Sequence, residues 1–270
     1  MRQKFRAAVR EWVPPAIIRL YLNYLNTKYG FHGDYATWAE ARRASGGYDA
    51  AAILQAVRPA ALKVKRGEAA YERDSILYHE LRFPWPILAA LLRIAALNQG
   101  RLGVLDFGGS LGSTYFQCRP FLDSLSEFRW SVVEQRDFVR CGQQEFEDSR
   151  LRFYYDLEAC WAAGPADVAM FSSVLPYLEK PYEVLEKVMS FNVRHILIDR
   201  HPLLISGERD RLTVQRVRPS IYKASYPAWF FNPRKFMDFI RPRYRLMAAF
   251  DCDVWCHIPC HWKGLILERL

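Results

Sequence analysis

Three acidic residues follow three successive segments that have the composition of buried β-strands. Asp106, Glu134 and Asp156 each stand at or just after the end of such a segment, and the segments read RLGVLDF, FRWSVVE and LRFYY. In an open parallel sheet the carboxyl ends of the strands share one edge, and ligands bind in the crevice outside that edge. Carboxylates there can pair with a cationic group, bind ribose hydroxyls and accept from an adenine amino group. Each acid by itself could instead be a surface carboxylate.

A glycine-rich turn directly follows the first of these acids. It reads VLDFGGSLG and contains Gly108, Gly109, Ser110 and Gly112. The order fits a D-x-G-x-G-x-G pattern with serine at the middle glycine, and such a turn admits a nucleotide-type ligand at a helix N-terminus. An acid at the strand end disfavours a pyrophosphate. It favours S-adenosylmethionine (SAM), which carries ammonium and sulfonium groups. A purely structural turn is the alternative.

The segment DVAMFSSVLPYLEKP is predicted to form the fourth strand and its exit. Ser172 and Ser173 would then lie close to the methionine end of the cofactor. The same two serines could instead cap a helix that begins at Val174, because serine hydroxyls accept from free helical N–H groups.

A charged segment, YERDSILYHE, precedes the glycine turn in the sequence. Helical spacing would place Glu72, Ser75 and His79 on one face, which predicts a helical lid over the SAM pocket. Tyr71 and Arg73 are the expected cofactor contacts in this lid. A solvated charged helix is the alternative.

Methyl transfer to a sugar hydroxyl requires a base that takes the proton and a site that holds both reactants in line. His201, in IDRHP after the fifth predicted strand, is the first candidate for that base. Asp199 is the second candidate, or the group that orients the imidazole. An ordinary loop histidine is the alternative.

The acceptor site is predicted in the region that precedes and includes SIYKASYPAWFFNPRKF. Aromatic rings can stack on sugars, and arginines can bind phosphate or acidic sugar groups. The predicted substrate contacts are Tyr222, Tyr226, Trp229, Arg209 and Arg211. Aromatic residues at these spacings could equally belong to the core.

The six cysteines are interpreted as free thiols in a reducing cytoplasm, because no secretory signal precedes them. Three of them, Cys252, Cys256 and Cys260, alternate with His257 and His261 near the C-terminus. Their C-x3-C-x3-C spacing differs from the pairs that structural zinc favours, so no metal is predicted.

From residue 99 onward the chain alternates strand and helix segments. This pattern predicts an α/β fold with a Rossmann-like, mostly parallel sheet, closed by an antiparallel C-terminal hairpin. Residues 1–98 are interpreted as a helical extension and pocket lid. Residues 99–270 are interpreted as the SAM-binding domain, with an acceptor-site insertion around 203–235.

A net charge of +9 indicates an anionic partner, although a basic surface kept for solubility is the alternative. Residues 1–26 are basic and aromatic. They predict either peripheral contact with the inner face of a membrane or two short helices packed on the domain. No apolar run approaches the ~20 residues that a membrane span requires.

Much of the chain resembles a family of class I SAM methyltransferases encoded in bacterial clusters for surface polysaccharides (O-antigen and exopolysaccharide). The resemblance is carried by YGFHGDYATWAEA, GYDAAAIL, YERDSILYHE, VLDFGGSLGSTYFQCRPFL, WSVVEQRDFV, SSVLPYLEKPYEVLE, ILIDRHP, DRLTVQRVRPSIYKASYPAWFF and GLILERL. It implies a SAM-dependent fold whose glycine turn runs from Asp106 to Gly112, with Glu134 at the ribose and Asp156 near the adenine. It also implies a polysaccharide or lipid-linked glycan as acceptor. Two alternatives remain open. One is a non-catalytic scaffold in glycan assembly. The other is a nucleic-acid methyltransferase, against which SSVLPY stands where an N/D-P-P-Y-like motif would be.

Overall fold

The computed structural model describes residues 14, 17, 27–47, 50–73, 75–80, 82–219, 221–222, 224–254 and 256–270. The strands are β1 (Gly30–Tyr35), β2 (Tyr71–Arg73), β3 (Ile76–Tyr78), β4 (Arg101–Phe107), β5 (Glu127–Val133), β6 (Leu151–Tyr154), β7 (Val168–Ser172), β8 (His195–Leu204), β9 (Arg211–Arg216), β10 (Ser225–Phe230), β11 (Tyr244–Asp251) and β12 (Cys260–Arg269). The helices are α1 (Trp38–Arg43), α2 (Ala50–Lys65), α3 (Trp85–Leu97), α4 (Ser113–Leu122), α5 (Arg136–Glu145), α6 (Leu157–Ala163), α7 (Pro181–Ser190) and α8 (Pro233–Ile240), with a 3₁₀ turn at Leu175–Tyr177.

A seven-stranded sheet with the order β11-β12-β8-β7-β4-β5-β6 forms the centre of the fold. The five strands from β6 to β8 in this order are parallel to their neighbours, whereas β12 pairs antiparallel with both β8 and β11. The predicted Rossmann-like α/β fold with an antiparallel C-terminal hairpin is therefore confirmed by the strand order itself. The parallel strands are apolar nearly throughout because both of their faces are buried.

Helices cover both faces of this sheet, and the alternation of side chains along each strand decides which face each residue supports. In β4, Val104 packs on one face with residues of α2 to α5, whereas Leu105 packs on the other with residues of α6 to α8. Each face thus buries its own apolar cluster, and the loops that carry ligand-binding groups are left at the strand ends.

A second, three-stranded antiparallel sheet has the order β1-β9-β10. β1 lies within residues 1–98, the segment interpreted from the sequence as a helical extension. Phe31 of β1 packs edge-on against Phe230 of β10, with ring centroids 4.9 Å apart. The part of the chain before residue 98 is therefore not purely helical, and it shares a sheet with the region around 203–235. The division at residues 98 and 99 itself stays a prediction.

The predicted helical lid at YERDSILYHE is wrong as well, because this segment forms the β2–β3 hairpin. Tyr71 pairs with Tyr78 across the hairpin, and their rings stack with centroids 4.5 Å apart. Ser75 lies in the turn with φ +65°. Glu72, Ser75 and His79 consequently do not share a helical face. The stacked pair of Tyr71 and Tyr78 stabilises the hairpin, and this cross-strand contact is not visible in the helical spacing of the polar residues.

Apart from Pro14 and Ile17, the predicted membrane-contacting segment 1–26 lies outside the described residues, as do Asp74 and Lys223. Among the helices of the described part, none has both the length and the apolar character that crossing a membrane requires.

Candidate functional site

A cavity of about 850 Å³ opens at the carboxyl ends of β4, β5 and β7. Its volume lies within the ~300–1,000 Å³ that small-molecule and cofactor sites occupy. The sequence-predicted residues that line it are Arg73, Asp106, Gly108, Gly109, Ser110, Glu134, Asp156, Ser172, Ser173, Tyr222 and Tyr226. The other predicted residues lie outside its wall: Tyr71, Gly112, Asp199, His201, Arg209, Arg211 and Trp229.

Asp106 is the most deeply buried carboxyl group of this wall, with 1% of the residue exposed. The indole Nε1–H of Trp130 donates to its Oδ2 at 3.0 Å, whereas Oδ1 has no hydrogen-bond partner among the described residues. Burial raises the pKa of Asp106 to about 7, because desolvation disfavours the charged form. Oδ1 is therefore an acceptor atom that a donor or cation of a ligand in the cavity could satisfy.

Two glycines of the turn have no room for a side chain. A Cβ at Gly109 would lie 2.5 Å from Oδ2 of Asp106, and a Cβ at Gly108 would lie 2.4 Å from Cγ2 of Val174. Ser110 adopts φ +55°, the left-handed conformation that glycine usually supplies. The serine at the middle glycine therefore keeps the turn geometry, at a cost of about 1–2 kcal/mol. Gly112, at φ +87°, is the N-cap of α4 and closes the turn.

Glu134 follows β5 and lies beside this turn. Its Oε2 accepts from the backbone N–H of Gln135 at 2.6 Å. Burial raises the pKa of Glu134, and the N–H groups of Gln135 and Ser110 act in the opposite direction. The Glu134 carboxylate therefore lies at the end of β5, in the wall of the cavity that Asp106 also borders.

Asp156 serves as the N-cap of α6. Its Oδ1 accepts from the backbone N–H of Ala159 at 2.7 Å, which satisfies one free donor of the helix. The residue also lines the cavity. The third predicted strand-end acid is therefore in the expected place, with a structural role in addition to any contact with a ligand.

Ser172 connects the cavity to Asp199 behind it. Its hydroxyl donates to Oδ2 of Asp199 at 2.7 Å and accepts from Nη2 of Arg200 at 2.9 Å. Ser173 has φ +57° and its backbone N–H donates to the carbonyl of Asp199 at 2.8 Å. The alternative capping role is not realised, since the 3₁₀ turn begins without a side-chain cap.

The β2–β3 hairpin reaches the same cavity through Glu72 and Arg73. Glu72 is 4% exposed and accepts from the hydroxyl of Ser113, the first residue of α4, and from the N–H of Ser75 at 3.2 Å. The hairpin is thus tied to the glycine turn although it is not a helix. Tyr71 is buried against Tyr78 instead of facing the cavity.

His201 does not reach the cavity, and we do not retain it as a base. It is 1% exposed and packs against the rings of Phe231 and Phe236, with centroids 4.2 and 4.4 Å away. Neither ring nitrogen has a hydrogen-bond partner among the described residues. The sequence placed this histidine in a loop, whereas β8 continues to Leu204 and directs it into the apolar core.

Three predicted acceptor-binding residues are occupied elsewhere. Trp229 stacks on Trp38 at 6.2 Å and donates to the carbonyl of Leu178. Arg209 pairs with Asp34 at 2.9 Å, and Arg211 donates to the carbonyl of Gly33 at 2.9 Å. These four contacts hold the small sheet and its neighbours together, and the three side chains are not placed at the cavity.

Tyr222 and Tyr226 do line the cavity, with hydroxyl oxygens 3.1 Å apart. Sequence reasoning missed Arg200 and Gln215, which also line it. The Oε1 of Gln215 is buried without a hydrogen-bond partner among the described residues. The sequence did contain a signal for Arg200, because this residue follows Asp199 at the end of the predicted fifth strand. Gln215 had none, because the pairing of β9 with β1 is non-local.

The cysteine cluster lies away from the cavity wall. Sγ of Cys256 and Sγ of Cys260 are 3.3 Å apart, and Sγ of Cys252 contacts Oδ1 of Asp199 at 3.5 Å. Within the described part of the chain, no three histidine, cysteine or acidic side chains are arranged to hold a metal ion.

No protein-family model and no curated protein matches the sequence. Among solved structures, the chain is similar to the N-terminal domain of EvdMO1 in the presence of S-adenosylhomocysteine (SAH) and D-fucose, with 14% identity, a TM-score of 0.48 and coverage of 78% of this chain and 96% of that one. It is similar to magnesium protoporphyrin IX methyltransferase from Synechocystis PCC 6803 with bound SAM, with 12% identity, a TM-score of 0.46 and coverage of 69% and 79%. It is also similar to the glycopeptide N-methyltransferase MtfA complexed with sinefungin, with 10% identity, a TM-score of 0.43 and coverage of 68% and 93%. All three TM-scores lie under 0.5, so the fold assignment rests on the strand order of the chain itself.

The buried imidazole of His201 generates a prediction about stability. Desolvation lowers its pKa from 6.5 to about 3, so protonation favours the unfolded chain. We expect its contribution to the free energy of unfolding to decline below pH 6.5, by up to about 1.4 kcal/mol per pH unit. In His201→Phe this decline should be absent, and the free energy of unfolding at pH 7.5 should change by less than about 1.5 kcal/mol.

Urea unfolding of both proteins between pH 7.5 and 4.5 measures this difference. Phe236→Leu is the matched control, because it disturbs the same cluster without adding or removing a titratable group. Parallel pH profiles for the wild type and His201→Phe would show that the imidazole is not desolvated.

Proposed function

We propose that the chain is a SAM-dependent methyltransferase that methylates a sugar hydroxyl of a surface polysaccharide or lipid-linked glycan. One observation carries the first part of the proposal. A glycine turn and the acids Asp106, Glu134 and Asp156, from three successive strand ends, border one cavity at the carboxyl edge of a parallel sheet. This is the edge at which open α/β sheets bind their ligands.

The residues of this cavity fit SAM. Asp106 offers a buried acceptor oxygen, and Gly108 and Gly109 allow the turn to pass close to Val174 and Asp106 in the cavity wall. Glu134 is positioned to bind the ribose hydroxyls, and Asp156 to accept from the adenine amino group. At the methionine end, the expected contacts are Arg73, Ser172 and Ser173. When bound, SAM supplies a methyl group on a positively charged sulfur.

The acceptor's proton has a path through Ser172 to Asp199. The six histidines of the chain are all outside the described cavity wall, whereas the Ser172 hydroxyl lines it and already donates to Asp199. A hydroxyl of the acceptor that donates to Ser172 would allow the serine proton to move to the Asp199 carboxylate. The remaining contribution of the chain is positioning, because holding two reactants in line supplies much of the rate.

The glycan part of the proposal is supported by the acceptor side of the cavity and by the family resemblance. Tyr177, Tyr222 and Tyr226 present aromatic rings and hydroxyls, and Gln215 presents an amide oxygen that has no hydrogen-bond partner in the described part of the chain. Aromatic surfaces with a few convergent polar groups are typical of small-molecule sites.

Residues 1–26, which are basic and aromatic, would bring the enzyme to the inner face of the membrane. Loss of co-sedimentation with anionic vesicles after their deletion is the check on that contact.

Calorimetry with SAH tests the cofactor assignment. We expect micromolar binding to the full chain, and in Glu134→Gln a loss of about 10- to 100-fold, since hydrogen bonds to a charged group contribute about 1.5–3 kcal/mol. Glu158→Gln is the matched control. It also borders the cavity, but its exposed carboxylate pairs with Lys187. Absence of SAH binding at high micromolar concentration would exclude both enzyme hypotheses and leave the scaffold.

Substitution of the proposed proton acceptor tests the chemistry. Asp199→Asn keeps the shape of the side chain but removes its basicity, so we expect kcat to fall by about 10²- to 10⁴-fold with little change in SAH affinity. Stopped assays with radiolabelled SAM measure kcat, and calorimetry measures the affinity. An unchanged kcat would eliminate Asp199 from the proton path.

The acceptor class is tested by parallel methyl-transfer assays on RNA, sugar nucleotides and lipid-linked glycans. We expect label in a sugar-containing acceptor and none in RNA. Label in RNA alone would support the nucleic-acid methyltransferase instead, for which the net charge of +9 is the favouring observation.

A further inference from the structure

We propose that Arg200 forms an anion-binding subsite on the acceptor side of the cavity, and that the acceptor carries a carboxylate or phosphate group close to the methylated hydroxyl. This inference rests on the proposed function, because it names the chemical class of the substrate at the same site.

The backbone of Arg200 is held in an unusual conformation. The pairing of β8 with β7 ends at Ser172 and Asp199, and the pairing of β8 with β12 shifts register immediately beyond that point. Arg200 lies at this irregularity with φ +52°. An L-residue in the left-handed region costs about 1–2 kcal/mol, which glycine would avoid. Such strain is typical of functional positions, and here it directs a long cationic side chain to the cavity.

Two side chains fix the guanidinium group in place. Nη2 donates to Oγ of Ser172 at 2.9 Å, and Nη1 lies 3.2 Å from Oδ2 of Asp199. The Arg200 side chain is 21% exposed, so the group is largely desolvated. A guanidinium carries five N–H donors, and these two contacts leave donors for a ligand. Its planar fork matches the two oxygens of a carboxylate or phosphate.

The positions of the two cationic side chains in the cavity assign Arg200 to the acceptor. Among its described lining residues, the cationic side chains are Arg73 and Arg200. Arg73 lies on the hairpin that Glu72 ties to the glycine turn, and it belongs to the proposed cofactor contacts. Arg200 lies instead next to Ser172, where the acceptor hydroxyl would be deprotonated. Asp199 and Ser172 occupy part of the guanidinium. An anionic group gains charge-assisted hydrogen bonds from the remaining N–H donors, and a neutral acceptor gains weaker ones.

Two kinds of sugar share this chemistry, the uronic acids with a carboxylate and the sugar phosphates with a phosphate. Three probes separate them: methyl β-D-glucuronide, its neutral counterpart methyl β-D-glucoside, and α-D-glucose 1-phosphate. Each is titrated calorimetrically into the full chain saturated with SAH. We expect at least one anionic probe to bind about tenfold or more tightly than the glucoside. The tighter of the two anions identifies the source of the charge.

Three variants assign the preference to Arg200. Arg200→Gln should abolish the charge preference while SAH affinity stays within about threefold. Arg200→Lys should restore part of the preference, because it keeps the charge but not the fork. Arg73→Gln is the matched control from the same cavity wall. It should weaken SAH binding and, at saturating SAH, retain the preference. Thermal unfolding confirms that each variant is folded.

Equal binding of all three probes, binding of none at millimolar concentration, or a preference that survives in Arg200→Gln would overturn the proposal. These outcomes are separate from failure of the proposed function. That failure would appear as absence of SAH binding to the wild-type chain before any sugar is added.

Discussion

The buried carboxyl group of Asp106 is the constraint around which the site is arranged. Its burial is unfavourable for a charged group. The indole N–H of Trp130 donates to one oxygen, and the other has no hydrogen-bond partner among the residues that the structure describes. The turn that follows must pass within contact distance of the same carboxyl group, which explains why Gly109 has no room for a side chain. A single desolvated group thus dictates the backbone of the turn and leaves one acceptor atom for a ligand.

The parallel sheet places this carboxyl group at the edge where the cavity opens. Because β4, β5 and β7 run in the same direction, the residues that follow them come together at one edge although they are far apart in the sequence. Glu134 and Ser172 line the same cavity as Asp106 in this way. The hairpin β2–β3 and the small sheet then supply the remaining walls through Arg73 and Gln215.

An irregularity in the middle of β8, where the pairing with β7 ends, directs three neighbouring side chains to different places. Asp199 lies behind Ser172 and pairs with Arg200, while His201 is directed into the apolar core. In a loop all three side chains would have been free to face the ligand. In a strand with a local change of register, Arg200 is placed against the cavity, Asp199 behind it and His201 away from it. The chemistry available at this edge is therefore that of a carboxylate and a guanidinium, without an imidazole.

The sequence by itself determined the α/β fold and the part of the cavity wall formed by the glycine turn and the strand-end acids. Strand ends and a glycine turn are local patterns that the parallel sheet brings together in a regular way. The positions of Asp106, Glu134 and Asp156 follow from the rule that parallel strands end at one edge of the sheet, without knowledge of side-chain packing. Tertiary structure decided the rest. Whether a tyrosine-rich segment forms a hairpin, and which face a side chain of β8 presents, depends on cross-strand partners distant in the chain. The same holds for Gln215, since β9 becomes part of the cavity wall through its pairing with β1 and β10, which no local pattern specifies.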